Sequence, residues 1–283
     1  MKRISMLAAV LMLTACGEPV YTTPAASPTS SSEAPAGTTY QGTGTVLQAK
    51  GKDPQLCLGG VMDSLPPKCG GLPLQGWDWD AVEDEESANG TTWGSYSVTG
   101  DYDGKVFKVL EARAPDWSGG TDHPIETPCD EPAGGWEQPE PDKVAEEDRI
   151  RVMRRVRRQP DFSGIWIDYL EEPAEFEDTP YVLNVAFAGD VEGHEAEIRE
   201  DWGGPLCVVE FEHPLDGLLA IQEELSREAA KEMGLEVLTS GVSENRNVLQ
   251  ISVVVATAEM LDELEERYGP GTVEVDARLR PVE

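Results

Sequence analysis

The chain has 283 residues, with 54 acidic against 22 basic side chains and a formal net charge of −32. A surface this negative repels nucleic-acid phosphates and anionic headgroups. We therefore expect no nucleic-acid partner and no attachment to a bilayer by charge alone. Apolar residues make up 39% of the chain, a low fraction that predicts a linker beside the packed part.

The first sixteen residues indicate export. Two basic residues precede an apolar run over residues 4–13, which is too short to span a bilayer. The run ends in Leu-Thr-Ala-Cys at 13–16, which resembles the lipobox of bacterial lipoproteins. This resemblance implies that residues 1–15 are a signal peptide and that the Cys16 thiol carries diacylglycerol. The mature chain is then anchored in the cell membrane, facing the extracytoplasmic side. An ordinary secretory signal with an incidental cysteine is the alternative.

Three segments of different composition follow the signal. Residues 16–41 are rich in Thr, Ser, Pro and Ala, which predicts a disordered spacer behind the lipidated cysteine. Residues 42–112 carry short alternating stretches and turn signals such as Asn89-Gly90, which predict a small all-β, barrel-like module. Residues 113–161 are dense in Pro, Gly and acid and end in six arginines, which predicts an irregular segment. We expect the arginines to pair with acids of their own chain; contact with lipid headgroups or a protease-sensitive link are the alternatives.

Residues 162–283 are more regular and predict an α+β domain. From Leu206 onward the hydrophobic periodicity indicates the order β-α-β-β-α-β, with an extra β-α unit before it. This order resembles the ferredoxin-like split βαβ arrangement, which implies one sheet packed against two helices. The resemblance is topological and carries no functional residues. The fold class is therefore α+β.

Four cysteines remain after Cys16 is assigned to the lipid, and an even number in an oxidising compartment predicts disulfides. Three pairings are possible. The short loop between Cys57 and Cys69 favours that local pair, which leaves Cys129 to join Cys207. A metal site is the competing interpretation, but there is no Cys-x-x-Cys spacing, so we expect no metal.

The sequence contains no recognisable catalytic constellation. There is no Gly-x-Ser-x-Gly, no phosphate-binding loop and no His-Glu-x-x-His. We therefore expect no enzymatic activity, no catalytic residues and no cofactor. The spacing of Asp101 and Asp103 resembles the start of a calcium-binding loop, although a hairpin turn explains these residues better. Trp77, Trp79 and Trp93 are candidates for stacking on sugars, with burial in the module core as the favoured interpretation.

These observations predict a membrane-anchored extracytoplasmic lipoprotein with a non-catalytic interaction or structural role in the cell envelope, where an envelope protein is a possible partner. The layout resembles that of uncharacterised bacterial lipoproteins. One alternative is a calcium- or sugar-binding envelope protein. Another is a protease-prodomain-like or inhibitor-like module, because small α+β folds often mask or assist proteases. The oligomeric state stays open.

Overall fold

The computed structural model describes residues 37–115, 126–136, 138–171 and 179–282. Cys16, the predicted signal peptide and most of the predicted spacer lie outside the described residues. The fold is mixed α+β, with one seven-stranded and two three-stranded sheets. No helix in the described part of the chain is long and apolar enough to cross a bilayer.

Six strands near the amino terminus belong to the first sheet: β1 Thr39–Ala49, β2 Gln55–Cys57, β3 Leu72–Gln75, β4 Glu86–Ala88, β5 Thr91–Tyr102 and β6 Phe107–Arg113. β1 pairs with both β2 and β5, which closes β1, β2, β3, β6 and β5 into a ring. The barrel-like module that the sequence predicts is therefore present. β4 and β5 are joined by Asn89 and Gly90, whose φ angles of 51° and 77° fit the hairpin turn that this dipeptide predicts.

The carboxy-terminal residues complete this β module. A short strand β13, Arg280–Pro281, pairs with β1, and Leu279 lies in the module core with 1% of its surface exposed. A Cβ atom at Gly42 would lie 2.7 Å from Leu279 Cδ2 and 2.9 Å from the Arg278 backbone oxygen, so a larger residue would force this segment to shift. The predicted boundaries are wrong in two places: the module is not confined to residues 42–112, and β1 begins at Thr39, inside the predicted spacer.

Tyr102 links the β module to the rest of the chain and makes stability depend on pH. Burial raises the pKa of its phenol, and the adjacent Glu236 carboxylate, 3.4 Å from the hydroxyl, raises it further. The folded state keeps this proton above about pH 10, where the unfolded chain releases it. The contribution of Tyr102 to the free energy of unfolding is therefore fully present below about pH 10 and falls as the pH rises above it.

We expect Tyr102→Phe to reduce the loss of unfolding free energy between about pH 9.5 and 11.5, because the variant has no phenol proton to hold at that position. Urea denaturation at a series of pH values measures this slope. A variant whose slope equals that of the parent protein would contradict the role given to Tyr102.

The remaining elements form two units with the same order, helix–strand–strand–helix–strand. The first contains α1 Glu146–Val156, β7 Phe162–Tyr169, β8 Tyr181–Ala188, α2 His194–Arg199 and β9 Leu206–Phe211. The second contains α3 Leu215–Glu224, extended by a π-helical turn and the short helix α4 Ala230–Glu232, then β10 Val237–Ser243, β11 Val248–Val253, α5 Ala258–Tyr268 and β12 Val273–Ala277. In both units the first two strands are antiparallel and the third is parallel to the second. The topology therefore repeats within the chain.

The division of strands differs from the predicted ferredoxin-like sheet. That arrangement needs β9, β10, β11 and β12 in one sheet. In the structure β9 pairs with β8, whereas β11 pairs directly with β12 in a separate sheet. The order of elements from Leu206 onward is as predicted, but the ferredoxin-like arrangement is not confirmed. Hydrophobic periodicity fixes which residues face a core and leaves the choice of partner strand open.

The arginine-rich end of the segment 113–161 is helical, so the prediction of an irregular segment is wrong there. Helix α1 buries Val152 and Val156, which are one turn apart, against the core of the first unit. Asp148 accepts a hydrogen bond from the Ala145 amide at 2.9 Å and so caps the start of the helix. The arginines obscure this short apolar stripe when only composition is considered.

Four of the six clustered arginines, Arg149, Arg151, Arg155 and Arg157, pair with acids of the same chain, as the favoured interpretation predicts. Arg155 contacts Glu200 and Asp201, each at 2.7 Å, and Arg157 contacts Glu244 at 2.9 Å. These pairs are partly solvated, so each contributes modestly to stability. They hold α1 against α2 and against the turn that joins β10 to β11.

Both predicted disulfides are present, Cys57–Cys69 and Cys129–Cys207. The second attaches a segment that we call the strap, residues 126–136, to β9. The Thr127 amide donates to Asp168 of β7 at 2.8 Å, and the Trp166 indole donates to the Glu126 carbonyl at 3.3 Å. The strap therefore lies along the sheet of the first unit.

We expect Gly164→Ala to lower the free energy of unfolding by about 1–3 kcal/mol. A Cβ atom at this position in β7 would lie 2.6 Å from the Glu244 backbone oxygen, which cannot move without shifting the β10–β11 turn. The Glu244 side chain also accepts the Ile165 amide at 2.9 Å, so the contact joins the two units. Urea denaturation measures the change. Gly241→Ala is the control, because no atom lies within 4 Å of its added methyl group; an equal loss in both variants would contradict the explanation.

Candidate functional site

The structure brings two of the three candidate tryptophans together. The rings of Trp77 and Trp79 are 5.3 Å apart, edge to face, and that of Trp77 lies 5.1 Å from Tyr96. The Trp79 indole donates to Gln48 Oε1 at 2.6 Å. Both tryptophans pack on the core of the β module, as the favoured interpretation predicts. Trp93 lies an odd number of residues from Tyr96 on β5, so its side chain is on the other face of the strand. The three tryptophans therefore do not form one sugar-stacking surface.

Asp101 lies in β5, where it pairs with Lys108 of β6, and Asp103 lies in the turn between the two strands. Asp103 Oδ1 accepts the amides of Val106 and Lys105 at 2.7 and 2.9 Å, and these hydrogen bonds lower the pKa of its carboxyl group. The residue thus stabilises a hairpin turn. Over residues 37–115, 126–136, 138–171 and 179–282, no three His, Cys, Asp or Glu side chains form a group that could hold a metal ion.

A cleft of about 490 Å³ lies in the first unit, between the start of α1 and the ends of β7 and β8. Its apolar part is aromatic. Tyr181 stacks on Trp202 with ring centroids 5.8 Å apart, and the ring of Tyr169 meets that of Tyr181 edge-on at 6.0 Å. Clefts with aromatic walls and a few polar groups are the common form of small-ligand sites in proteins. This cleft is the candidate functional site.

The aromatic rings are held in different ways. Trp202 is 1% exposed, and its indole donates to the Pro205 carbonyl at 2.9 Å, so it forms a fixed base. Tyr169 is 45% exposed and stands at the open side. Tyr181 lies between them. The three rings therefore grade from the buried base of the cleft to its mouth.

Charged side chains line the rim of the cleft. Arg149 and Glu146 both line it, and their closest charged atoms are 3.9 Å apart, a loose pair that leaves both groups solvated. Burial raises the pKa of the Tyr181 phenol, and the positive charge of Arg149 opposes that shift. The phenol therefore remains a neutral hydrogen-bond donor at physiological pH. The cleft thus offers an aromatic wall, a donor, a cation and an anion to one ligand.

Sequence reasoning did not find this cleft. Tyr169 and Tyr181 are the last residue of β7 and the first residue of β8, so strand pairing brings them together. Trp202 lies in the turn between α2 and β9, more than twenty residues after Tyr181. A partial signal was present, since aromatic residues flank two neighbouring strand ends. The position of Trp202 beside the two tyrosines depends on the parallel pairing of β8 with β9, which the sequence does not specify.

Comparisons with known proteins assign no role to the cleft. No protein-family model matches the chain. Among curated proteins, none matches it at a significant level. The function is therefore argued from the residues themselves.

Proposed function

We propose that this protein is a lipid-anchored, extracytoplasmic binding protein of the bacterial cell envelope. The lipobox-like sequence that ends at Cys16 supports the anchor. The disulfides support the compartment, because bonds of this kind persist where the surroundings are oxidising. Cys57 and Cys207 are 3% and 1% exposed, which is typical of structural bonds. The lipid accounts for membrane attachment by a chain whose net charge of −32 opposes it.

The aromatic cleft is the observation that carries the binding role. A ligand with one flat apolar face and a polar edge fits it, because the face packs on Tyr169 while the edge meets Arg149 and Glu146. A pyranose ring has this character, with axial C–H groups on one face and hydroxyl groups around its edge. The proposed ligand is therefore a saccharide of the envelope. This ligand also agrees with the sugar-binding alternative, at a site other than the three tryptophans.

Titration with oligomers of N-acetylglucosamine, followed by intrinsic tryptophan fluorescence and by calorimetry, tests the binding role. We expect saturable binding that Tyr169→Ala weakens about fivefold, because the variant removes a stacking contact of about 1 kcal/mol. Leu110→Ala is the matched control, since it removes an exposed apolar side chain from β6. Equal affinity in both variants, or no heat and no fluorescence change in the parent protein, would contradict the proposal.

Fractionation tests the anchor separately. We expect the parent protein in the membrane fraction and Cys16→Ala in the soluble extracytoplasmic fraction, because the variant has no thiol for the lipid. Equal distribution of the two forms would contradict lipid anchoring while leaving the cleft proposal standing.

A further inference from the structure

A disulfide-closed loop on the β module presents apolar side chains to solvent. The loop spans residues 58–68, between Cys57 and Cys69, and we call it the 58–68 loop. Val61, Met62 and Leu65 are 39%, 64% and 74% exposed. Large apolar side chains that stand together at the surface mark interaction sites more often than scattered ones do.

Internal hydrogen bonds hold the tip of the loop in one conformation. The Met62 amide donates to the Lys68 carbonyl at 2.8 Å, in an isolated antiparallel bridge. Inside that bridge, the Ser64 amide donates to the Met62 carbonyl at 2.9 Å. The Ser64 hydroxyl donates to the Pro66 carbonyl at 2.8 Å. Pro66 and Pro67 fix two further φ angles. A loop that is ordered before binding avoids most of the entropy cost of binding.

The base of the 58–68 loop is fixed to the barrel. Cys57 ends β2 and pairs in register with Thr45 of β1. Leu58, the first residue of the loop, is 3% exposed and lies in the module core. The exposed tip is therefore a rigid projection from a folded domain.

The chemistry of the tip favours a protein cleft over a lipid surface. Asp63 and Ser64 are exposed between Met62 and Leu65, so polar and apolar groups interleave at the apex. Insertion into a bilayer would carry the Asp63 carboxylate into the headgroup region, against the repulsion from a chain of charge −32. A protein cleft with successive pockets accepts apolar and polar side chains in turn.

We propose that the 58–68 loop occupies the substrate cleft of a secreted endoprotease that has an apolar specificity pocket. An endoprotease cleft is open at both ends, so it admits a loop whose ends return to the same domain. Met62 or Leu65 fills the pocket, and the backbone on either side lies along the cleft. Because the tip is covalently closed and hydrogen-bonded, it competes with flexible substrates for the cleft. This surface is distinct from the aromatic cleft and acts whether or not a saccharide is bound there.

The test measures inhibition of chymotrypsin and of subtilisin, two endoproteases that accept apolar side chains, with chromogenic peptide substrates. The inhibitor is the purified full-length protein with both disulfides formed, at up to about 10 µM. We expect reversible, competitive inhibition of at least one of the two enzymes. The paired variant Met62→Glu/Leu65→Glu should raise the inhibition constant at least tenfold. Leu110→Glu, which places the same charge on an exposed apolar position of β6, should leave it unchanged.

Each other outcome overturns the proposal. Absence of inhibition of both enzymes excludes the docking role. Rapid cleavage within the 58–68 loop, detected by mass spectrometry, shows a substrate in place of an inhibitor. Sedimentation with vesicles of anionic phospholipid that the paired variant abolishes shows a lipid-contacting loop. The saccharide titration of Tyr169→Ala is independent of this loop, so failure here and failure of the binding role are distinguishable.

Discussion

Replacing Cys129 and Cys207 together by alanine is expected to lower the free energy of unfolding by about 4 kcal/mol, the largest single effect that the structure predicts. The two residues are 78 positions apart, and a closed loop of that length restricts the unfolded chain strongly. The bond also attaches the strap to the sheet, where Asn184 of β8 lies beside Cys207 with none of its surface exposed. Urea denaturation under non-reducing conditions measures the loss.

The shorter disulfide is the matched control for this experiment. Cys57 and Cys69 are 12 positions apart, so their replacement by alanine should cost about 3 kcal/mol in the same account. The order of the two losses tests the explanation. A smaller loss from the long loop than from the short one would show that the strap contributes little to the stability of the first unit.

Leu279→Ala is expected to lower the free energy of unfolding by about 2–4 kcal/mol. The side chain is 1% exposed and packs in the core of the β module with Val98 and Phe107, both fully buried. The substitution leaves a cavity beside Gly42, whose close contact with Leu279 holds β1 near the end of the chain. Urea denaturation measures the change.

Val282→Ala is the control for Leu279→Ala. It removes an apolar side chain three positions further on, where 46% of the surface is exposed, and should change stability by less than about 0.5 kcal/mol. Amide hydrogen exchange adds a local readout, because Leu279→Ala should weaken protection along β1 as well as near the substituted residue. Unchanged protection of β1 would contradict the assignment of Leu279 to the core of the β module.

Much of the local structure could be predicted from the sequence, because its causes are local. The apolar run Leu206–Phe211 forms a strand, and Thr257, which precedes an apolar stripe, caps α5 by accepting the Met260 amide through its hydroxyl. The disulfide pairs also agree, since one short loop leaves a single partner for each remaining cysteine. These features depend on periodicity, capping and loop length.

The long-range arrangement could not be predicted in the same way. Apolar and charged residues alternate from Val273 to Arg280, which favours one continuous strand. The structure instead ends β12 at Ala277 and places Leu279 in the core of the β module. It also gives no sign that β9 and β11 belong to different sheets. In each case the choice of partner strand depends on how side chains from distant parts of the chain pack together.

The candidate site shows the same division. Trp77 and Trp79 are two positions apart in sequence and their rings are in contact, so their clustering could be anticipated. Their packing on the core of the β module explains them. The cleft of Tyr169, Tyr181 and Trp202 depends on the ends of β7 and β8 and on the turn before β9. Its residues are separate in sequence and meet only through strand pairing.

Mass spectrometry of the amino-terminal peptide of the membrane-extracted protein tests the central proposal most directly. If the protein is lipid-anchored, we expect this peptide to begin at Cys16 and to carry the mass of a diacylglycerol group on the thiol. The new amino group is either free or acylated. A peptide that begins elsewhere, or one that begins at Cys16 with an unmodified thiol, would contradict lipid anchoring in the cell envelope.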